Sequence, residues 1–258
     1  MEKDYQSAAQ MLRDAYQGSP VAPLRDYLEP TDVDGAYAVQ AINTRQWLAD
    51  GRRLVGRKIG LTSKAVQTQL GVGQPDFGAL FADMEIPDGG TLDPARAIQP
   101  KAEAEIAFIL GRDIDDPDAS VETVVAAIDQ AMAAIEIVDS RIADWKITFA
   151  DTVADNGSSA FFVLAKDRLR LDGLDLYSCG MVMEINGAVV SLGAGAACLG
   201  HPLNAAQWLA RTLAARGEPL RAGDILLSGA LGPMVALNPG DEVRTTIGGI
   251  GSCSFRYA

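Results

Sequence analysis

The sequence is poor in the residues on which several common chemistries depend. Its 258 residues include one histidine, His201, and three widely spaced cysteines, Cys179, Cys198 and Cys253. A three-histidine zinc site is therefore excluded, and the cysteine spacing does not fit a structural zinc site. The motifs Gly-x-Ser-x-Gly and Gly-x-x-x-x-Gly-Lys-Ser/Thr are also absent. Unpaired cysteines suit a reducing cytoplasm, and His201, which precedes a proline, is interpreted as the entry residue of a helix.

Positive charge is scarce as well. The chain has 22 basic and 34 acidic residues, for a net charge of −12, and no run of lysine or arginine. Nucleic acid and anionic membrane surfaces are therefore not expected partners, and an anionic ligand would need a local positive site. No apolar run is close to the length of about 20 residues that a membrane span requires. The first six residues lack the apolar core of a signal peptide.

Helical patterns dominate the start of the chain. Residues 1 to about 50 are predicted to be helical, with Thr31 as the N-cap of a helix that ends at Asp50-Gly51. Two later helices are predicted. Apolar residues at spacings of three and four indicate one helix over residues 120–132. A proline at its first position and a glycine at its end indicate another over residues 202–217.

Strand patterns dominate from Leu54 onward, where short apolar runs alternate with glycine and proline. Asn186-Gly187 between two such runs predicts a hairpin. Further strands are predicted over residues 224–228, 234–238, 242–247 and 252–257. Helices followed by strands indicate an α+β fold and not a repeating βαβ unit. We divide the chain into an N-terminal helical region (1–53) and a β-rich catalytic domain (54–258).

Three glutamates in apolar surroundings are the candidate metal ligands. Glu103 and Glu105 lie in a strand-like segment, where positions i and i+2 face the same side with Cα atoms about 6.6 Å apart. This alternation also fits a solvated strand face. Glu136, which lies between isoleucines, favours a shared cation, because an unpaired buried carboxylate is costly. Oxygen ligands alone favour a hard ion such as Mg²⁺ or Mn²⁺.

Other candidate residues have ordinary alternatives. Lys58 lies in an apolar strand that ends at Gly60. Such a lysine is usually a surface residue, but opposite a metal site it would hold an anion or transfer a proton. Asp76 lies in a Gln-Pro-Asp-Phe-Gly segment that is typical of a turn. Residues 154–159 form a polar loop whose amides could bind a carboxylate, and Asp155 could support the metal ligands.

These segments resemble the 2-oxopent-4-enoate hydratases (2-hydroxypenta-2,4-dienoate hydratases) of the fumarylacetoacetate hydrolase superfamily. The similarity covers nearly the whole chain and is densest at residues 55–62, 74–78, 151–156, 199–206 and 228–236. The resemblance implies a mixed, barrel-like sheet. It implies that Glu103, Glu105 and Glu136 bind Mg²⁺ or Mn²⁺, and that Lys58 is the active-site lysine.

The resemblance also implies an activity. The enzyme would add water to a small 2-hydroxydienoate in aromatic meta-cleavage catabolism and release 4-hydroxy-2-oxopentanoate. Backbone amides near Leu61 and Ser158, with Asp155 in the same loop, would help to bind the substrate. Lys58 and Asp76 would share the proton transfers. A homo-oligomer is implied, and association with another enzyme of the pathway stays open.

Two alternatives accompany this interpretation. The 4-oxalocrotonate decarboxylases are a sister branch that shares the metal ligands, the lysine and the Gly-His-Pro-Leu segment. Arg57, Asp76 and the Ala-Leu-Gly-Pro-Met run at residues 230–234 are the features that resemble the hydratases instead. A non-catalytic metal-binding scaffold subunit is the second alternative, and it would bind metal without consuming a dienol.

Overall fold

The computed structural model describes residues 4–258, so residues 1–3 of the predicted helical region lie outside it. The α-helices are α1 (Tyr5–Ala15), α2 (Val33–Ala49), α3 (Lys64–Gln69), α4 (Val121–Ala127), α5 (Phe149–Ala154) and α6 (Pro202–Ala215). Within the described range, none of these helices is long and apolar enough to cross a membrane.

Two of the predicted helices are confirmed, with one correction to a cap. The N-cap of α2 is Asp32 and not Thr31, because the Asp32 carboxylate accepts the Gly35 N–H at 2.9 Å. At the start of α6, His201 is the N-cap, and its Nδ1 accepts the Leu203 N–H at 3.1 Å. The prediction that His201 is a helix-entry residue is therefore confirmed.

The helix predicted over residues 120–132 is wrong in its second half. Ser120 caps α4 as expected, but the helix ends at Ala127 and a strand begins at Ile128. The residues that follow are buried on both faces of the sheet, so their apolar run lacks the alternation of a half-exposed strand. An apolar run of this kind cannot be assigned to helix or strand by periodicity alone.

Within residues 4–258, thirteen strands form two sheets. In chain order they are β1 (Leu54–Gly60), β2 (Asp76–Phe81), β3 (Glu85–Ile86), β4 (Gly90–Leu92), β5 (Lys101–Leu110), β6 (Ile128–Val138), β7 (Ser159–Leu164), β8 (Gly180–Ile185), β9 (Ala188–Ala194), β10 (Ile225–Leu227), β11 (Val235–Ala236), β12 (Asp241–Ile247) and β13 (Gly251–Tyr257). The larger sheet has the order β2-β1-β10-β5-β6-β7-β3, with β11 also paired to β5. The smaller sheet has the order β4-β13-β12-β8-β9. Parallel and antiparallel pairs occur in both sheets, so the predicted α+β fold with mixed sheets is confirmed.

The predicted hairpin at Asn186-Gly187 is confirmed. It joins β8 to β9, and both turn residues have positive φ, 53° and 80°. This is the backbone that a two-residue hairpin requires, and asparagine and glycine are the residues that tolerate it best. Strands β10 and β11 lie within the ranges predicted for them, and β12 and β13 each begin one residue earlier than predicted.

The larger sheet is strongly curled, as the contact between Lys58 and Glu136 shows. Lys58 on β1 is level with Leu227 on β10 and with Ala107 on β5. In a flat sheet, Glu136 on β6 would lie three strand spacings away, about 14 Å, and about 13 Å further along the strands. The two side chains nevertheless meet at 3.3 Å. The sheet therefore forms a half-barrel whose concave face carries these residues, and the predicted barrel-like sheet is confirmed.

The N-terminal helices pack directly onto this half-barrel. The Gln40 side chain on α2 is buried and donates to the carbonyls of Phe77 on β2, at 2.9 Å, and of Val153 on α5, at 2.8 Å. A buried amide with both donors satisfied fixes the position of its neighbours. Helix α2 thus supports the strand that carries Asp76. The domain boundary between residues 53 and 54 stays a prediction.

Candidate metal centre and active site

The three predicted ligand residues meet on the concave face of the larger sheet. Glu103 and Glu105 lie on the same side of β5, and Glu103 is paired with Glu136 on β6. Each residue offers one carboxylate oxygen, and these oxygens all lie within 4.8 Å of one another. Glu105 and Glu136 are buried and Glu103 is half-buried. Two adjacent strands are enough to assemble the cluster. The strand period of two places Glu103 and Glu105 on one face, and the pairing of β5 with β6 places Glu136 opposite Glu103.

The cluster has oxygen atoms that the protein itself does not satisfy. Gly229 donates its N–H to Glu105 Oε2 at 2.7 Å, which orients that carboxylate. The other oxygen of Glu105 and both oxygens of Glu136 are buried and accept no hydrogen bond from the described residues. Unsatisfied buried carboxylates are strongly unfavourable. Their arrangement fits the oxygen ligands of a hard divalent cation.

The electrostatics of the cluster favour a cation at the same place. Burial and the neighbouring Glu136 raise the pKa of Glu103 to about 7. The same two causes, together with Glu103, raise the pKa of Glu105 well above its usual value. Carboxylates that repel one another in a dry site share protons unless a positive charge intervenes. A divalent ion would restore the ionised state of all three residues.

Lys58 is buried beside this cluster, in contrast to the usual exposed lysine. Its Nζ lies 3.3 Å from Glu136 Oε2, as an ion pair. Burial alone would lower the pKa of Lys58, but the carboxylates of Glu136 and Asp76 outweigh burial and raise it. These carboxylates therefore favour the charged ammonium form of Lys58. One ammonium group faces three glutamates, so the site retains an excess of negative charge.

Asp76 lies across β1 from the glutamates and next to Lys58. It is the first residue of β2 and is paired with Gly60, so it does not lie in a turn as its segment suggested. Burial raises the pKa of Asp76, and Lys58 partly offsets this shift. Its Oδ1 is buried and accepts no hydrogen bond within the part of the chain that the structure describes. A Cβ on Gly60 would lie 2.2 Å from this oxygen, so only glycine leaves room for the carboxylate.

The loop between α5 and β7 forms one wall of the site. The Asn156 side chain binds both the N–H and the carbonyl of Ala79 on β2, at 2.7 Å and 2.9 Å. Gly157, with φ of 62°, lies so close to Lys58 that an added Cβ would be 3.1 Å from Cε. The loop therefore confines the aliphatic part of Lys58 and leaves its ammonium group directed at the cluster.

Two predicted residues of this loop have partners that the sequence did not indicate. The buried Arg141 donates from Nε to Asp155 Oδ1 at 2.6 Å, and its amide donates to Asp155 Oδ2 at 2.9 Å. Asp155 therefore holds the loop through Arg141, and the structure does not bring its carboxylate to the glutamates. The Ser158 N–H donates to the Asp155 carbonyl at 2.9 Å, and its hydroxyl lies 3.2 Å from that of Thr152. Substrate contacts by Asp155 and Ser158 stay predictions.

Leu61 follows β1 in a strained backbone conformation. Its φ is 55°, which is uncommon for a leucine, and its carbonyl accepts a hydrogen bond from Gln67 Nε2 at 2.8 Å. The next residue, Thr62, is buried against Gly229, where an added Cβ would lie 2.4 Å from the threonine methyl group. The turn that contains Leu61 is thereby fixed beside the residue that orients Glu105. A substrate contact by the Leu61 amide stays a prediction.

Sequence reasoning missed several residues that hold the site together. Gly60 acts by leaving room for the Asp76 carboxylate, and Gly229 acts through its backbone amide. Neither role can be recognised from the residue type in a sequence. Arg141 is also missing from the sequence-based set, because an isolated arginine is usually exposed. Lys101, whose charge acts on Glu103, was also missed, although its position carries a readable signal. It precedes Glu103 by two positions and therefore shares its face of β5.

Comparison with known proteins gives a consistent identification. The model of the fumarylacetoacetate (FAA) hydrolase C-terminal family matches residues 60–257. A 2-keto-4-pentenoate hydratase of Dechloromonas aromatica (strain RCB) is 56% identical over 98% of this chain and 97% of that protein. Another from Paraburkholderia xenovorans (strain LB400) is 56% identical over 98% of this chain and 94% of that protein.

A solved structure has the same fold over its full length. This is the 4-oxalocrotonate decarboxylase from Pseudomonas putida G7, complexed with magnesium and adipate. It superposes with a TM-score of 0.94 at 37% sequence identity, covering 100% of this chain and 98% of that one. The identity to the hydratases is higher than to this decarboxylase. The chain therefore belongs to the fumarylacetoacetate hydrolase family and, within it, to the 2-keto-4-pentenoate hydratases.

Proposed function

We propose that this enzyme is a metal-dependent hydro-lyase that adds water to 2-hydroxypenta-2,4-dienoate, or a close homologue, and releases 4-hydroxy-2-oxopentanoate. The observation that carries the proposal is the cluster of three carboxylates, two of which keep buried oxygens that accept no hydrogen bond, beside a buried lysine and a buried aspartate. The reaction suits such a site because the substrate develops negative charge next to its own carboxylate. The hydratase names of the 56%-identical relatives support the same reaction.

Glu103, Glu105 and Glu136 would hold the metal ion. When bound, a divalent ion supplies Lewis-acid stabilisation of the charge that develops on the C2 oxygen of the substrate. Mg²⁺ is the proposed ion, and Mn²⁺ is an acceptable substitute, because both prefer oxygen ligands in six-coordinate sites. The Gly229 N–H keeps Glu105 in place, and the pairing of β5 with β6 keeps Glu103 beside Glu136.

Lys58 and Asp76 would carry the proton transfers. The reaction moves a proton from the enol oxygen to C5 and then adds water across C3 and C4, with hydroxide at C4 and a proton at C3. A buried carboxyl with an unsatisfied oxygen and a raised pKa, as in Asp76, can both accept and return a proton. The Lys58 ammonium would stabilise negative charge on the substrate and would attract the Asp76 carboxylate electrostatically.

The decarboxylase alternative shares the fold and the metal site, so its exclusion depends on finer features. Asp76, Arg57 and the run at residues 230–234 support the hydratase branch. Asp76 would supply the second acid–base group that a hydration needs in order to deliver a proton and activate water. We further propose that the protein acts in the cytoplasm, which suits its three free cysteines, and forms homo-oligomers.

The reaction can be tested with the purified protein and Mg²⁺. We expect the ultraviolet absorbance of 2-hydroxypenta-2,4-dienoate to disappear, and mass spectrometry to show a product heavier by one water. In parallel, 2-oxohex-3-enedioate should keep its mass. Loss of CO₂ from the diacid without hydration of the dienol would establish the decarboxylase alternative. Metal binding with no change in either compound would favour a scaffold subunit.

The metal site can be tested without turnover by the change Glu105→Gln. Mg²⁺ at one hundred times its dissociation constant should stabilise the wild-type protein by about 2.7 kcal/mol, because it binds only the folded state. Glu105→Gln should lose most of this effect, as measured by thermal unfolding with and without Mg²⁺. Without metal the variant should be at least as stable as wild type, because a neutral amide replaces a carboxyl group whose ionisation is disfavoured there, and the amide oxygen can still accept from Gly229.

A matched control is Glu242→Gln. Glu242 is exposed on β12 of the smaller sheet, whereas the cluster lies on β5 and β6 of the larger sheet. The control should respond to Mg²⁺ as wild type does. An unchanged response of Glu105→Gln to Mg²⁺ would remove Glu105 from the proposed ligand set.

The role of Asp76 can be tested by the change Asp76→Asn. We expect turnover to fall about 10²- to 10⁴-fold, because an amide cannot transfer the proton. Mg²⁺ affinity, measured by calorimetry, should be preserved, since Asp76 lies outside the glutamate cluster. Asp83→Asn is the control, because Asp83 is exposed and pairs with Arg52. A normal turnover rate in Asp76→Asn would refute the role of this residue.

A further inference from the structure

One face of β5 leads from the buried site to the surface. Glu105, Glu103 and Lys101 occupy alternate positions and therefore point to the same side of the strand. Glu105 is buried, whereas Glu103 and Lys101 are half-buried. The less buried end of this row is therefore the end that carries Lys101, and a ligand that reaches the glutamates along this strand passes its ammonium group.

Lys101 is held in place by an aromatic ring. Its Nζ lies 4.1 Å from the centroid of the Trp145 ring, which is the geometry of a cation–π contact. Trp145 and the preceding Asp144 both have positive φ, 55° and 57°. Two consecutive residues other than glycine in this region represent a strained backbone, and such strain is concentrated at functional sites.

The strained turn is tied to the strand that carries Lys101. The Trp145 Nε1–H donates to the carbonyl of Gln99 at 2.9 Å. The Gln99 side chain in turn donates to the carbonyls of Ser140 and Ile142, at 2.8 Å and 2.6 Å. The Asp139 carboxylate accepts the Gln99 N–H at 2.6 Å. This network joins the segment before β5 to the segment after β6, so the ring and the lysine have a fixed relative position.

The charge of Lys101 is available to a ligand. Within residues 4–258, no carboxylate oxygen lies in salt-bridge distance of its Nζ, although Glu103 on the same face attracts it. The protein as a whole carries a net charge of −12, and the cluster adds three carboxylates at the bottom of the site. A carboxylate substrate approaching this surface is repelled unless a local positive charge offsets the repulsion.

We propose that Lys101, positioned by the Trp145 ring, is the cation at the mouth of the site that draws the anionic substrate toward the glutamate cluster. The proposal rests on the proposed function for the identity of the substrate, a small carboxylate. Lys101 is then a binding residue and takes no part in proton transfer. Trp145 is a positioning residue that acts through Lys101.

The test compares Lys101→Met with Lys166→Met. Both changes make the net charge −13, but Lys166 is exposed and lies after β7, away from this face of β5. At low ionic strength, Lys101→Met should lower kcat/KM for 2-hydroxypenta-2,4-dienoate about tenfold, mainly through KM. The difference from wild type should shrink in 0.5 M NaCl, where charges are screened beyond about 4 Å. Lys166→Met should behave like wild type, and Lys101→Arg should restore most of the loss.

A binding measurement keeps this test independent of turnover. Adipate is a suitable unreactive probe, and it should bind the Mg²⁺-loaded Lys101→Met variant about tenfold more weakly than wild type in calorimetry. Affinity for Mg²⁺ alone should not weaken, because the change removes a positive charge. Trp145→Leu should weaken adipate binding as well, and the double variant should show less than the sum of the two effects.

The outcomes separate this proposal from the proposed function. Equal adipate affinity and equal salt dependence in the Lys101→Met and Lys166→Met variants would overturn the role of Lys101. A loss of kcat that persists in 0.5 M NaCl, with normal adipate binding, would also overturn it. Weakened adipate binding in a protein that does not hydrate the dienol would leave Lys101 as a carboxylate-binding residue and remove the hydratase assignment.

Discussion

Excess negative charge in a buried space is the constraint on which the rest of this structure depends. Glu103, Glu105 and Glu136 converge within 4.8 Å, and the single buried cation beside them is Lys58 among the residues that the structure describes. A folded protein tolerates such an arrangement when a ligand completes it, because unpaired buried charges are costly. The same imbalance that makes the site unfavourable when empty favours a divalent cation there.

The surrounding structure keeps these charges in position. The curl of the larger sheet brings β1 over β6, which no flat sheet of this strand order could do. Glycines then permit close approach, since Gly60 leaves space for Asp76 and Gly229 presents its amide to Glu105. Arg141 fixes the loop that confines Lys58, through the backbone and side chain of Asp155. The helices outside the sheet contribute by supporting β2, so the site depends on elements from the entire length of the chain.

The shared face of Glu103 and Glu105 and the fold class were predictable from sequence because they depend on local periodicity and residue type. Glu103 and Glu105 share a face in any strand, and Asn186-Gly187 specifies a hairpin by itself. The length of α4 and the strand that follows it were not predictable, since the run after Ala127 is buried on both faces. The partnership of Asp155 with Arg141 joins residues 14 positions apart in a folded loop, and the contact of Lys101 with Trp145 joins residues 44 positions apart. Such contacts are set by tertiary structure and leave no periodic trace.

The central claim, that the three glutamates bind a divalent cation, is tested most directly by the anomalous scattering of Mn²⁺ in crystals soaked with MnCl₂. We expect an anomalous peak among Glu103, Glu105 and Glu136, with carboxylate oxygens about 2.0–2.2 Å from the ion, the distance range of octahedral oxygen sites. A saturated crystal with no peak in the cluster, or with its peak coordinated by other residues, would contradict the account.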